Sequence, residues 1–138
     1  MVQQQSNLIL RLATAIILII HSVPGMFNGG VNDFGRFYLN EQGFAPFGVA
    51  LAWAIKLSHV AAAILLLWNR YLKWACGVTI LILVAGIVMV HFKEGWFVVG
   101  GGRNGWEYNF LLIAVLLSIL WPQGIPFKKR MPDNVKTK

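Results

Sequence analysis

The sequence predicts an all-α fold: an integral membrane four-helix bundle with its N- and C-termini in the cytoplasm. Three observations lead there. The first is composition. Of 138 residues, 57% are hydrophobic and 12% charged, and mean hydropathy is +0.64. A soluble domain ordinarily carries about 25% charged residues to coat a water-facing surface. The second is the grouping of apolar residues into four blocks, Leu8–Phe27, Phe47–Trp68, Trp74–Phe92 and Trp106–Trp121. About 20 apolar residues cross a bilayer as a helix, which the first three blocks approach and the fourth falls short of. The expected spans are 8–27, 47–68, 73–92 and 105–122 in a single domain, followed by a basic tail, 123–138. The third is where the charges lie. Arg11, Arg70, Lys73 and the tail residues Lys128, Lys129, Arg130, Lys136 and Lys138 gather on one side. The loop 28–46 carries only Asp33, Arg36 and Glu41, and the loop 93–105 sets two cations against Glu94. That asymmetry puts both termini and the turn after the second span in the cytoplasm. A soluble bundle with a very apolar core is the competing architecture.

The net charge of +7 raises the question of nucleic acid. Its distribution answers against it: the basic tail reads as a topology and lipid-headgroup signal. Cys76 is the single cysteine, so the chain has no internal disulfide and no C-x-x-C pair for dithiol chemistry. No A-x-A-like site follows the first apolar run, which therefore reads as an uncleaved span.

The first span places Arg11, Thr14, His21 and Gly25 at helical spacing, one polar stripe on an aliphatic rod. Pro24 is expected to end or kink it, and His21 stands roughly 20 Å above its inner boundary. In the loop that follows, Val31, Phe34, Tyr38 and Gln42 outline an uneven apolar face. The expectation is a short interfacial helix capped by Asn32 and ended by Gly43 and Pro46. The second span carries Lys56 and His59 three residues apart, on one face. They lie roughly 13 and 18 Å below the outer boundary, near the midplane. An ionisable group there costs about 2.5–3.5 kcal/mol or more unless it meets a partner or water, which turns both inward. In the third span Thr79 and Gly86 form a small-residue seam, and His91 reaches the outer edge. The fourth span begins in an aromatic belt of Trp106, Glu107, Tyr108 and Asn109 and stops at Pro122.

His91 to Tyr108, HFKEGWFVVGGGRNGWEY, holds many of the chemistry-capable groups and reads as a compact outer loop. Together with the spans it defines a candidate ligand pocket of His21, Lys56, His59, His91, Arg103 and Glu107. The picture is a polar funnel that opens outward and closes near the midplane. For His91, Arg103 and Glu107, ordinary solvation at span ends explains the residues nearly as well. Trp96, Phe97 and Trp106 are candidates for docking a partner protein. Gly100–Gly105 satisfies G-x-G-x-x-G in letters only, since no strand precedes it. No cofactor is encoded. His21 and His91 lie on parallel spans, as two haem ligands would, but at different heights and without a supporting motif, so haem is disfavoured. The acids are too few for a carboxylate-bridged metal pair.

Three segments resemble the DoxX family of small four-span bacterial membrane proteins, over about Leu10 to Gly124. They are His21-Ser-Val-Pro-Gly-Met-Phe27, Gly43-Phe44-Ala45-Pro46, and His91-x-x-x-Gly95-Trp96-Phe97 followed by Gly105-Trp106-Glu107-Tyr108. Where many members carry a glutamate early in the second span, this chain has Lys56. The resemblance implies a multi-pass protein of the bacterial cytoplasmic membrane and a subunit of a membrane oxidoreductase. The family name comes from a thiosulfate:quinone oxidoreductase, so quinone is the implied ligand. A redox protein partner or a homo-oligomer is the implied assembly. A non-catalytic scaffold or assembly partner, and a small proton or solute carrier using Lys56 and His59, are the alternatives.

Overall fold

The computed structural model describes residues 7–99 and 104–124, so Arg103 and the basic tail lie outside the described residues. Every regular element among the described residues is helical. Helix α1 is Leu8–Phe27, with the bounds the apolar block predicts. Pro24 does not end it, because the turn closes when the Asn28 amide donates to the Pro24 carbonyl at 3.2 Å. Helix α2 starts at Gly30–Asp33 and widens into a π-helical stretch, Phe34–Phe44. Helix α3 is Gly48–Trp68. Helix α4 is Leu72–Gly86, continued by a π-turn, Ile87–His91, and a 3-10 turn, Phe92–Glu94. Helix α5 is Glu107–Leu120.

Three of these helices are long and apolar enough to cross a membrane: α1, α3 and the continuous Leu72–Glu94, with hydropathies of 1.9, 1.9 and 2.4. The fourth is not. Helix α5 has 14 residues, about 21 Å of rise, against the expected 105–122. Both of its ends have a local cause. Before it, the amides of Gly105, Trp106 and Glu107 are already bonded to the carbonyls of Phe97, Gly95 and Trp96. After it, Pro122 biases Trp121 away from helical geometry, and Trp121 sits at φ −124°, ψ 72°.

The loop helix forms, with a different cap from the one expected. Asn28, not Asn32, accepts a bond at the start, from the Gly30 amide at 3.0 Å. Asn32 lies inside α2 and accepts from the Trp53 indole at 2.8 Å, tying α2 to α3. The predicted stop holds: Gly43 takes φ 97° and Ala45–Pro46 is cis. Tyr38 donates to the Met89 carbonyl in the π-turn of α4 at 2.8 Å. Tyr38→Phe is expected to cost about 0.5–1.5 kcal/mol, read as a lower midpoint of thermal unfolding in detergent.

Helix α1 packs on α3 and α5, α4 packs on the same two, and α2 lies across α3. Asn7 donates to the Ser118 carbonyl at 3.2 Å and so joins the start of α1 to the end of α5. At that end the core is solid, with Ala15, Leu18, Ala63, Leu66, Cys76, Leu116 and Ile119 buried together. At the other end Val31, Leu39 and Ala52 form a second, smaller cluster under α2. The interior also carries polar groups. Arg11, Thr14, Ser22, His59, Thr79 and Asn109 are buried, whereas Ile9, Ile20, Leu81 and Val88 are largely exposed.

Candidate functional site

Between the two clusters lies a cavity of about 730 Å³, within the usual range of small-molecule sites. Leu18 and Leu112 belong both to the solid core and to its wall, and so form its floor. Val31, Phe34, Leu39 and Phe44 bring α2 over it as a roof, and α4 contributes one side from Leu81 to His91. Most of the wall is apolar.

The polar part of the wall is concentrated. His21, Lys56, His59 and His91 all line the cavity. The His21 and His59 rings stand 5.9 Å apart, tilted by 55°. Lys56 Nζ donates to the His21 backbone carbonyl at 3.1 Å. Placing Lys56 and His59 one helical turn apart on α3 brings both against the same turn of α1. His59 is 3% exposed, and neither of its ring nitrogens has a hydrogen-bond partner. An unmet buried polar group costs about 1–3 kcal/mol; Arg11, Thr14 and Ser22 also carry such atoms, and of these four residues His59 is the one that lines the cavity. His91 Nδ1 lies 2.7 Å from the Asn104 carbonyl. Because a carbonyl only accepts, Nδ1 carries the proton and Nε2 is left for other partners.

Of the remaining sequence candidates, Glu107 does not join this wall. Its Oε1 accepts from the amides of Val98 at 2.8 Å and Val99 at 3.3 Å, so it holds this stretch of chain on the start of α5. Arg103 lies outside the described residues. Trp96 and Trp106 pack edge to face at 4.3 Å, with Phe110 beside both, while Phe97 and Val99 point outward, 55% and 84% exposed. Within the docking trio, then, two tryptophans hold the loop together and Phe97 is presented.

Sequence reasoning missed Asn104, Tyr108 and Asn109 as cavity residues. A signal for Asn109 exists: it heads the buried stripe Asn109, Leu112, Leu116, Ile119, whose spacing of three, four and three marks one inward face. Ser58 and Thr79 return their hydroxyls to their own helices, at Ile55 and Ala75, and take no part.

The arrangement can hold an apolar ligand whose polar end accepts hydrogen bonds from imidazole and ammonium donors. Among the described residues no cluster of His, Cys, Asp and Glu is grouped as a metal site. Comparison with models of protein families, with curated proteins and with solved structures finds no significant match for this chain.

Proposed function

We propose that the chain is a multi-pass protein of a bacterial cytoplasmic membrane, related to the DoxX family, that binds a quinone as a subunit of a membrane oxidoreductase. Membrane insertion is supported by the inverted polarity of the helices. On α1 the buried side carries Arg11, Thr14 and Ser22 beside Ala15 and Leu18, and the exposed side carries Ile9, Ile16 and Ile20. That is the partition expected in an apolar solvent, not in water. With both termini cytoplasmic, α2 and the segments 95–99 and 104–106 belong to the outer face.

The observation that carries the ligand reading is His59, buried with both ring nitrogens unmet at the wall of a largely apolar cavity. The residues fit a quinone head: His59 and Lys56 donate to a carbonyl oxygen, His21 lies across from His59, and the aliphatic wall takes the ring and tail. A bound quinone supplies two-electron redox chemistry. The chain's own residues orient it, keep bulk water out beneath α2, and supply nitrogen-borne protons at its polar end. Electrons reach it from a redox partner protein.

Purification from native membranes followed by solvent extraction tests this. Wild-type protein is expected to retain quinone, and His59→Ala about tenfold less of it or lower still. Wild-type protein that is folded and quinone-free, in detergent and in nanodiscs supplied with quinone, would sink the reading. The exposed Phe97 on a clamped loop favours a second role, as the docking edge for that partner.

A further inference from the structure

The cavity wall contains four side chains that can carry positive charge, His21, Lys56, His59 and His91, and no aspartate or glutamate among the described residues. Glu107, the acid nearest in sequence to the wall residues of α5, has its carboxylate turned to the Val98 and Val99 amides. The donors outnumber what they bond. An ammonium has three N–H donors, and Lys56 has one hydrogen bond among the described residues, to the His21 carbonyl. His59 makes none. A cation placed in an apolar interior needs an opposite charge or water to offset its desolvation. The wall provides no such charge, and a carboxylate ligand would bring one.

We propose that the cavity also takes, in competition with a quinone, a single-chain amphiphile with a carboxylate head, bound by Lys56 and His59 with its chain along the aliphatic wall. The inference rests on the cavity being a ligand site, and not on that ligand being redox-active. Hydrogen bonds to a charged acceptor are roughly twice as strong as neutral ones. The carboxylate is therefore bound more tightly than a neutral ester of the same length, although the ester also offers a carbonyl oxygen.

The test uses the full chain in phosphatidylcholine nanodiscs, with empty nanodiscs as the partition control. Dodecanoate and methyl dodecanoate are the probes, and retained probe is measured by native mass spectrometry. Dodecanoate is expected to be retained about tenfold more strongly than the ester. Lys56→Met should abolish the difference and Lys56→Arg preserve it. Equal retention of acid and ester by the wild type would overturn the charge preference while leaving the cavity a ligand site, and this comparison needs no variant to fold. A preference that survives Lys56→Met in a folded protein would overturn the role given to Lys56. Failure of acid, ester and quinone alike to bind would remove the cavity reading as well.

Discussion

Gly35→Ala and Gly48→Ala are each expected to lift α2 off α3 and open the cavity roof. The two helices meet here backbone to backbone. A Cβ on Gly35 would strike the Val49 amide and Cα and the Gly48 carbonyl, and one on Gly48 would strike the Gly35 carbonyl and Asn40. None of those backbone atoms can rotate aside as a side-chain tip can. The cost is the overpacking penalty of about 1–3 kcal/mol, and the rigid neighbours place it at the upper end. The same contact is secured by Asn40, whose Oδ1 accepts from the Gly48 amide at 3.0 Å. Displacing α2 exposes that pair along with the Trp53–Asn32 and Tyr38–Met89 bonds. Since Val31, Phe34, Leu39 and Phe44 roof the cavity, ligand retention should fall together with stability. Gly29→Ala serves as the control: a Cβ added there meets nothing within 4 Å, so its cost is confined to its φ of 83°. Limited proteolysis within 30–47, thermal unfolding and retained ligand should all move in the first two variants. If α2 stays protected in both, the close approach is not what seats it.

The long helices were legible because a helix long and apolar enough to cross a membrane is recognised by length and composition. The apolar blocks give α1 and α3 to within one residue, and α4 with its continuation, Leu72–Glu94, with two residues added at each end. The meeting of His21, Lys56 and His59 at one cavity wall has an energetic reason, that ionisable groups on apolar rods seek each other's company, and of the three His59 is the buried one. What escaped was the end of the molecule where α2 and the start of α5 lie. Asn32 is a good capping residue by type, yet it is recruited by an indole on a helix that sequence distance does not place beside it. Glu107 had the chemistry of a pocket residue, and nothing in HFKEGWFVVGGGRNGWEY reveals that the chain folds back to put the Val98 amide on its carboxylate. Loop closures of this kind are set by backbone hydrogen bonds, which leave no trace in residue type. The glycine pair at 35 and 48 is likewise two ordinary loop and cap residues until α2 is laid on α3.

Glu107→Ala is expected to release the Val98–Val99 segment and leave the cavity in place, which separates two roles that residue type alone assigns equally. Glu107 opens α5, where a carboxylate also meets the positive end of the helix dipole. Its Oε1 takes two amides from the other arm of the loop. Its own amide donates to the Trp96 carbonyl at 3.0 Å, a backbone bond that survives any substitution except proline. Removing the side chain therefore leaves the loop base and the packed tryptophans intact and strips the support from Val98 and Val99 alone. Hydrogen bonds to a charged group contribute about 1.5–3 kcal/mol, so Glu107→Ala should accelerate exchange of those two amides by roughly ten- to a hundredfold. Glu107→Gln keeps an acceptor without the charge and should fall between wild type and alanine. Quinone and dodecanoate retention should change little in either variant, because the carboxylate is turned away from the wall that His21, Lys56 and His59 define. Lost retention with the Val98 and Val99 amides still protected would reverse the assignment: Glu107 would then be reaching the ligand, and the clamp would belong to the backbone ladder between residues 95–97 and 105–107.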